Sequence, residues 1–199
     1  MFRTYFGKGC RLGYSRMTPL RGIVCAVILN CEIPSTAEAQ LKVAKVFEAK
    51  YRQLGGSSGP LGRPTSGEIT SKEGEGSHQN FEHGVIGHSP ATGPNSFQVL
   101  YAKGFEMVFE WGDTSPFNYD FFIVRWDLNG KNVGQQDVKG GARTSGRWVT
   151  HPSLSGRYRL RVEGRDNNGK SRQGWSNSLY LNYTVPGLQG KIKPIATKP

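Results

Sequence analysis

Residues 54–94 limit what the chain can fold into more than any other stretch. They read LGGSSGPLGRPTSGEITSKEGEGSHQNFEHGVIGHSPATGP, with ten Gly and four Pro among 41 residues. Long apolar side chains are few: Leu54, Leu61, Ile69, Phe81, Val85 and Ile86. That is too little for an ordinary core. Pro fixes φ at about −65° and Gly admits positive φ. Here the two recur in ordered phrases, Leu61-Gly62-Arg63-Pro64-Thr65 and Ser89-Pro90-Ala91-Thr92-Gly93. Such phrases specify turns. A flexible Gly/Ser linker is the alternative. Phe81, Val85 and Ile86 sit between the phrases as strand-like anchors and favour an ordered unit.

The same phrases carry a family likeness. Leu54-Gly55-Gly56, Gly59-Pro60-Leu61-Gly62-Arg63-Pro64-Thr65-Ser66-Gly67-Glu68, Gln79-Asn80-Phe81-Glu82-His83-Gly84-Val85-Ile86 and Ser89-Pro90-Ala91-Thr92-Gly93 follow one another in order. Together they resemble the LGFP repeat of bacterial cell-wall-associated proteins. The likeness covers about a third of the chain, residues 40–103. Arg63 stands where the name-giving motif has an aromatic, and Gly87-His88 where an aromatic pair often stands. A single repeat is visible, although the family usually runs in tandem.

Residues 1–39 have another character. A basic lead (Arg3, Lys8, Arg11, Arg16, Arg21) precedes the apolar run Gly22-Ile23-Val24-Cys25-Ala26-Val27-Ile28-Leu29-Asn30-Cys31, and Thr36-Ala37-Glu38-Ala39 supplies an A-x-A site. This is the three-part pattern of a secretory signal peptide, cut after Ala39, with Met17 as an alternative start. The run is too short to cross a bilayer as a helix, which takes about 20 residues. No transmembrane segment is expected in the mature chain. All three cysteines lie in this presegment. The chain from Gln40 therefore has no means of forming a disulfide or a thiolate metal site. It keeps 21 basic and 13 acidic residues, a net of +8 out of the +11 of the whole sequence. That balance favours polyanionic partners.

Residues 40–54 place Leu41, Ala44, Phe47, Tyr51 and Leu54 on one helical stripe, with Gly55 as the stop. From Ser96 the pattern changes to short apolar runs separated by turn signals. Gly156-Arg157-Tyr158-Arg159-Leu160-Arg161-Val162-Glu163-Gly164 alternates strictly, and Asn129-Gly130 is a hairpin signal. Residues 104–186 thus read as an antiparallel sandwich, similar to an immunoglobulin or fibronectin type III module but without a cysteine pair. The fold class expected is mainly β with a short N-terminal helix. The order is a signal peptide (1–39), a helix plus LGFP-repeat unit (40–103), the sandwich (104–186) and a basic, Pro-containing tail (187–199).

Several patterns invite chemistry. Gly55-Gly56-Ser57-Ser58-Gly59 matches G-x-S-x-G formally. A nucleophilic Ser of that kind needs a strand before it and a helix after it, whereas here a helix precedes and a Pro-Gly turn follows. His78, His83 and His88 recur every five residues beside Glu73, Glu75 and Glu82. That spacing aligns neither a helix face nor a strand face, so exposed loop residues are the first reading and a converged metal site the second. Glu82 and Glu68 are expected to tie down backbone amides of the Gly-rich turns. Arg157, Arg159 and Arg161 alternate along one strand face, which reads first as a solvated face. For an exported chain, an anionic wall polymer fits such a stripe better than nucleic acid does.

The resemblance implies an exported, non-catalytic module that associates with the cell wall through carbohydrate or peptidoglycan. No cofactor, metal or nucleic-acid partner is expected. Arg63, Thr65, Glu68, Phe81, His83 and His88 are the expected binding lining, with Phe81 equally able to serve as core. Two alternatives stay open. One is a secreted hydrolase or metal-dependent enzyme using His83, His88 and Glu82. The other is an adhesin or inhibitor that binds a protein partner through the sandwich loops.

Overall fold

Among the described residues the chain forms eleven strands. In this computed structural model, the described residues are 41–72, 76–169, 171 and 173–187. The expected signal peptide and the tail from 188 lie outside them. One short helix, α1 (Glu48–Gln53), precedes β1 (Ile69–Thr70), β2 (Ser77–Asn80), β3 (Gly84–His88), β4 (Phe97–Lys103), β5 (Glu106–Gly112) and β6 (Phe121–Leu128). Then follow β7 (Lys131–Lys139), β8 (Gly146–Thr150), β9 (Gly156–Arg165), β10 (Gly174–Trp175) and β11 (Leu179–Tyr183). The first sheet runs β1-β2-β3-β4-β5-β8. The second runs β10-β9-β6-β7, with β11 also paired to β9. The described pairings are antiparallel. This arrangement is compatible with an immunoglobulin or fibronectin type III-like sandwich.

The first sheet is covered on both faces in its middle. Val85, Leu100, Met107, Phe109, Trp111 and Trp148 meet Phe122, Val124, Tyr158, Leu160, Val162 and Leu179 of the second sheet. On the opposite face, Ile86, Val99, Tyr101 and Val108 pack with Phe47, Tyr51, Leu61 and Phe81. This explains the unbroken apolar runs Val99-Leu100-Tyr101 and Met107-Val108-Phe109: a strand buried on both faces has no polar alternation. In β9, with one core face, Tyr158, Leu160 and Val162 turn inward and the arginines between them turn out.

The Gly/Pro-rich unit and the sandwich strands share this first sheet. Lys103 ends β4 and pairs with Glu106 at the start of β5, so the chain passes residue 104 inside a tight hairpin. The phrase Ser89-Pro90-Ala91-Thr92-Gly93 forms a 3-10 turn over Pro90–Thr92. Its Ser89 hydroxyl accepts the Asn177 backbone N–H at 2.9 Å, both groups buried, just before β11. Leu179 lies against Gly87, where a side chain on the glycine would collide with it. Ser89→Ala removes this acceptor from the buried Asn177 N–H and is expected to cost about 1–2 kcal/mol in chemical denaturation. An unchanged midpoint would mean that this bond holds nothing.

The helix is shorter than the apolar stripe predicts. Residues 41–44 form no helix and 45–47 form a turn before α1. Gln79, fully buried on β2, accepts the Ala44 N–H at 2.8 Å and donates to the Lys42 carbonyl at 2.9 Å. Those backbone groups are thus engaged across the chain and not by a helical ladder. Phe47 and Tyr51 are buried as the stripe requires, while Leu41 is exposed.

Candidate functional site

Leu61-Gly62-Arg63-Pro64-Thr65 lies antiparallel to the residues joining β2 and β3. The His83 N–H donates to the Leu61 carbonyl, Glu82 N–H to the Arg63 carbonyl, and Thr65 N–H to the Asn80 carbonyl. Pro64 bridges Phe81. Gly62 has φ +72°, and a side chain there would strike the Glu82 carboxylate, so both conformation and space call for glycine. The Glu82 carboxylate itself accepts the Arg63 N–H at 2.8 Å. Its role is to close the turn, which the Gly-rich context predicts.

Tyr51 and Phe81 form the floor beneath this turn. Their rings stack with centroids 5.0 Å apart and 22° between planes. The Tyr51 hydroxyl donates to the Gly62 carbonyl at 2.8 Å. Burial, and then the nearby Glu82 carboxylate, push the Tyr51 pKa up, so the hydroxyl keeps its donor proton. Leu61, inserted from above, is fully buried. Beside the turn, an open groove of about 460 Å³ runs between the 41–51 segment and Arg63-Pro64, rimmed by Lys42, Glu48, Ser57 and Arg63 with Tyr51 beneath.

The six residues expected to line a site fall into two groups at opposite ends of the β2–β3 hairpin. Arg63, Thr65 and His83 are exposed around the turn, and Phe81 is buried under it at 5% exposure. Glu68 and His88 are at the other end. The Ser77 hydroxyl donates to Glu68, and Ser77 is the cross-strand partner of His88. One ring nitrogen of His88 lies 2.9 Å from the Pro94 carbonyl, and its ring is 5.1 Å from that of Phe97. His78 pairs in register with Gly87 inside the sheet and so is separated from His83 in the turn. Glu73 and Glu75 lie outside the described residues. Among the described residues no group of three or more His, Cys, Asp and Glu side chains is placed to hold a metal. Gly56–Ser58 is a 3-10 turn that follows α1, not a strand.

Gln79 is the residue of this region that sequence patterning does not mark. Its amide nitrogen also donates to the Ser66 carbonyl at 2.8 Å. One side chain thus joins the 42–44 segment, the loop after Thr65 and the sheet. A polar residue within Ser-His-Gln-Asn carries no periodic signal. Its burial reveals its role.

Residues 61–104 match the family model of the LGFP repeat. That span begins at the buried Leu61 and ends at the β4–β5 hairpin, so the LGFP repeat supplies the turn, β1 to β4 and the Ser-Pro-Ala-Thr-Gly phrase. The LGFP repeat is a cell-wall-associated family. No curated protein and no solved structure matches the chain. No helix among the described residues is long and apolar enough to cross a membrane.

His78 is expected to give the LGFP repeat a pH response. Burial lowers its pKa below the ordinary 6.5, because desolvation disfavours the charged ring. The unfolded chain therefore binds the proton more tightly, and folding stability falls as pH drops through 6.5 towards the folded-state value. Midpoints of thermal unfolding are expected to be lower at acidic than at neutral pH, with His78→Gln flattening that part of the profile. An identical slope in the variant would assign the pH response to other groups.

Proposed function

We propose that the protein is an exported, non-catalytic cell-envelope module that associates with wall carbohydrate or peptidoglycan through its LGFP repeat. The observation that carries this reading is the LGFP match over 61–104, with its turn held rigid on Tyr51 and Phe81. Arg63 offers charge and hydrogen bonding at the exposed rim, His83 a ring that can hydrogen-bond, and Thr65 a hydroxyl. Phe81 acts from below by fixing the turn. Glu68 and His88 serve the far end of the hairpin. The groove beside Arg63 is mixed in character, with a tyrosine wall and charged rims. Sugar rings bind in such places by laying apolar faces on aromatics and hydroxyls on polar groups.

The test is sedimentation of the purified protein with insoluble cell-wall material at low and high salt. Binding that survives high salt is expected, because a shaped site depends less on screened charge than a diffuse field does. The double variant R63A/H83A is expected to lose roughly tenfold in wall affinity. Its unfolding midpoint should stay close to that of the parent, as exposed substitutions typically cost within about 0.5 kcal/mol. Wild-type protein that stays in the supernatant in both salts would overturn the reading.

A further inference from the structure

The face of the second sheet that points away from the core carries an unusual arrangement of arginines. Across the β6–β9 ladder, Arg125 stands opposite Arg161 and Asp127 opposite Arg159. Like charges directly opposite each other destabilise a sheet. Here a common ring offsets the repulsion: the Arg125 and Arg161 guanidinium carbons lie 4.6 Å and 4.7 Å from the Trp175 centroid. At the other end of β9, Arg157 lies 4.4 Å over the ring of Tyr180.

The carboxylates of this face each have a cation. Asp127 pairs with Arg159, Glu163 with Arg165 at 2.8 Å, and Asp137 with Lys139 at 3.4 Å. Among the described residues the arginines of this face outnumber its carboxylates, so the face is net positive. A guanidinium laid on an aromatic ring is pre-organised, and its in-plane N–H groups still form a fork that matches carboxylate or phosphate oxygens. Arg125 uses one nitrogen on Gln135 at 2.8 Å and has donors to spare. A shallow groove of about 400 Å³, lined by Asn129, Gly130, Arg157, Arg159 and Tyr180, lies along the same face. Successive outward residues of β9 are about 6.6 Å apart, which spaces Arg157, Arg159 and Arg161 along the strand, with Arg159 tied to Asp127.

We propose that this face is a second binding site, specific for an anionic glycan that carries carboxylate or phosphate groups along its chain. Trp175 and Tyr180 hold arginines here, whereas single-stranded nucleic-acid sites offer such rings to bases. A repeating row of donors fits a repeating row of anions. The proposal rests on the cell-wall reading only for where such a glycan is met.

The test uses soluble probes, so its outcome is separate from sedimentation with the wall. Purified protein is titrated with polygalacturonate, with a phosphorylated mannan and with neutral mannan, at several salt concentrations. Binding to one or both anionic glycans and not to neutral mannan is expected, and the better of the two identifies the anion. R125Q/R157Q/R161Q should lose roughly tenfold or more and show a shallower salt dependence, as fewer anions are neutralised. A charge-matched control, K45Q/K72Q/K103Q, should lose no more than about twofold, because those lysines lie off this face. R157Q alone, at an exposed position, should retain the parent's unfolding midpoint and lose severalfold, which covers the case of a misfolded triple variant. Equal losses in the two triple variants would overturn the proposal in favour of net charge. Tighter binding to duplex DNA than to either glycan, at equal anion concentration, would also overturn it. Wall sedimentation without glycan binding would sink this site and leave the LGFP reading standing.

Discussion

Gln79→Ala is expected to lower the thermal midpoint by roughly 10 °C, one of the two largest single-residue effects in this fold. The side chain is fully buried and makes three hydrogen bonds: Ala44 N–H to its oxygen, and its nitrogen to the Lys42 and Ser66 carbonyls. Truncation removes the partner and leaves the backbone groups in place. A buried polar group without its partner costs about 1–3 kcal/mol, and the space vacated adds a cavity term. Partial relaxation of the 41–44 segment offsets some of this, so a net of about 3–4 kcal/mol is expected. Gln79→Glu should fare no better, since it replaces the donor with a second acceptor and buries a charge. Hydrogen exchange supplies the local readout. The Ala44 amide should lose protection in the variant well before the amides of β4 and β5 do. A midpoint within 2 °C of the parent would mean that the 41–44 segment is not held by Gln79.

That bond set also marks where the sequence stops being informative. The stripe Leu41, Ala44, Phe47, Tyr51, Leu54 predicts a helix over the whole of 40–54. Phe47 and Tyr51 do enter the core, yet the helix starts only at Glu48, and Gln79 takes up backbone groups of Lys42 and Ala44 that a helix would use. Periodicity reports which face is apolar and carries no record of a distant polar competitor. Strand β7 escapes notice for a related reason. Lys-Asn-Val-Gly-Gln-Gln-Asp-Val-Lys forms an exposed sheet edge with little apolar alternation, and only the turn at Asn129-Gly130, both with positive φ, announces it. Lysines at both ends suit such an edge, which must not pair with other chains. By contrast, Tyr158, Leu160 and Val162 are legible from alternation alone, since one face is core and the other is not.

The candidate site divides in the same way. The need for glycine at 62 and the anchoring of an amide by Glu82 follow from turn chemistry within the phrase itself. The fate of Phe81 does not, since an aromatic between turns serves burial or recognition equally well. What decides it is Tyr51, thirty residues away, stacked upon it. The relative placement of the Gly/Pro-rich unit and the later strands is likewise a tertiary fact. It depends on β4 pairing with β3 on one side and β5 on the other, and on Leu179 finding the flat surface left by Gly87.

Gly164→Ala tests the same logic on the second sheet, with an expected loss of about 3 kcal/mol. Gly164 lies in β9 directly beneath the Tyr119 ring, and an added methyl would come within 2.5 Å of three ring carbons. Two effects compete. Alanine restricts the unfolded chain and by itself would stabilise by about 0.4–1 kcal/mol. Overpacking costs about 1–3 kcal/mol and more where neighbours cannot yield. Tyr119 has little room to yield: it is 1% exposed, its ring meets Phe122 edge-on at 5.4 Å, and its backbone N–H is bonded to the Arg143 carbonyl. The clash therefore wins. Gly141→Ala is the control, since nothing lies within 4 Å of the added methyl, and it should stay within about 0.5 kcal/mol of the parent in urea denaturation. If the two alanines prove equally stable, Tyr119 does not rest on Gly164. A double-mutant cycle with Tyr119→Ala separates collision from any other defect. Once the ring is gone the methyl has nothing to strike, so the pair should be less destabilised than the two single changes added together.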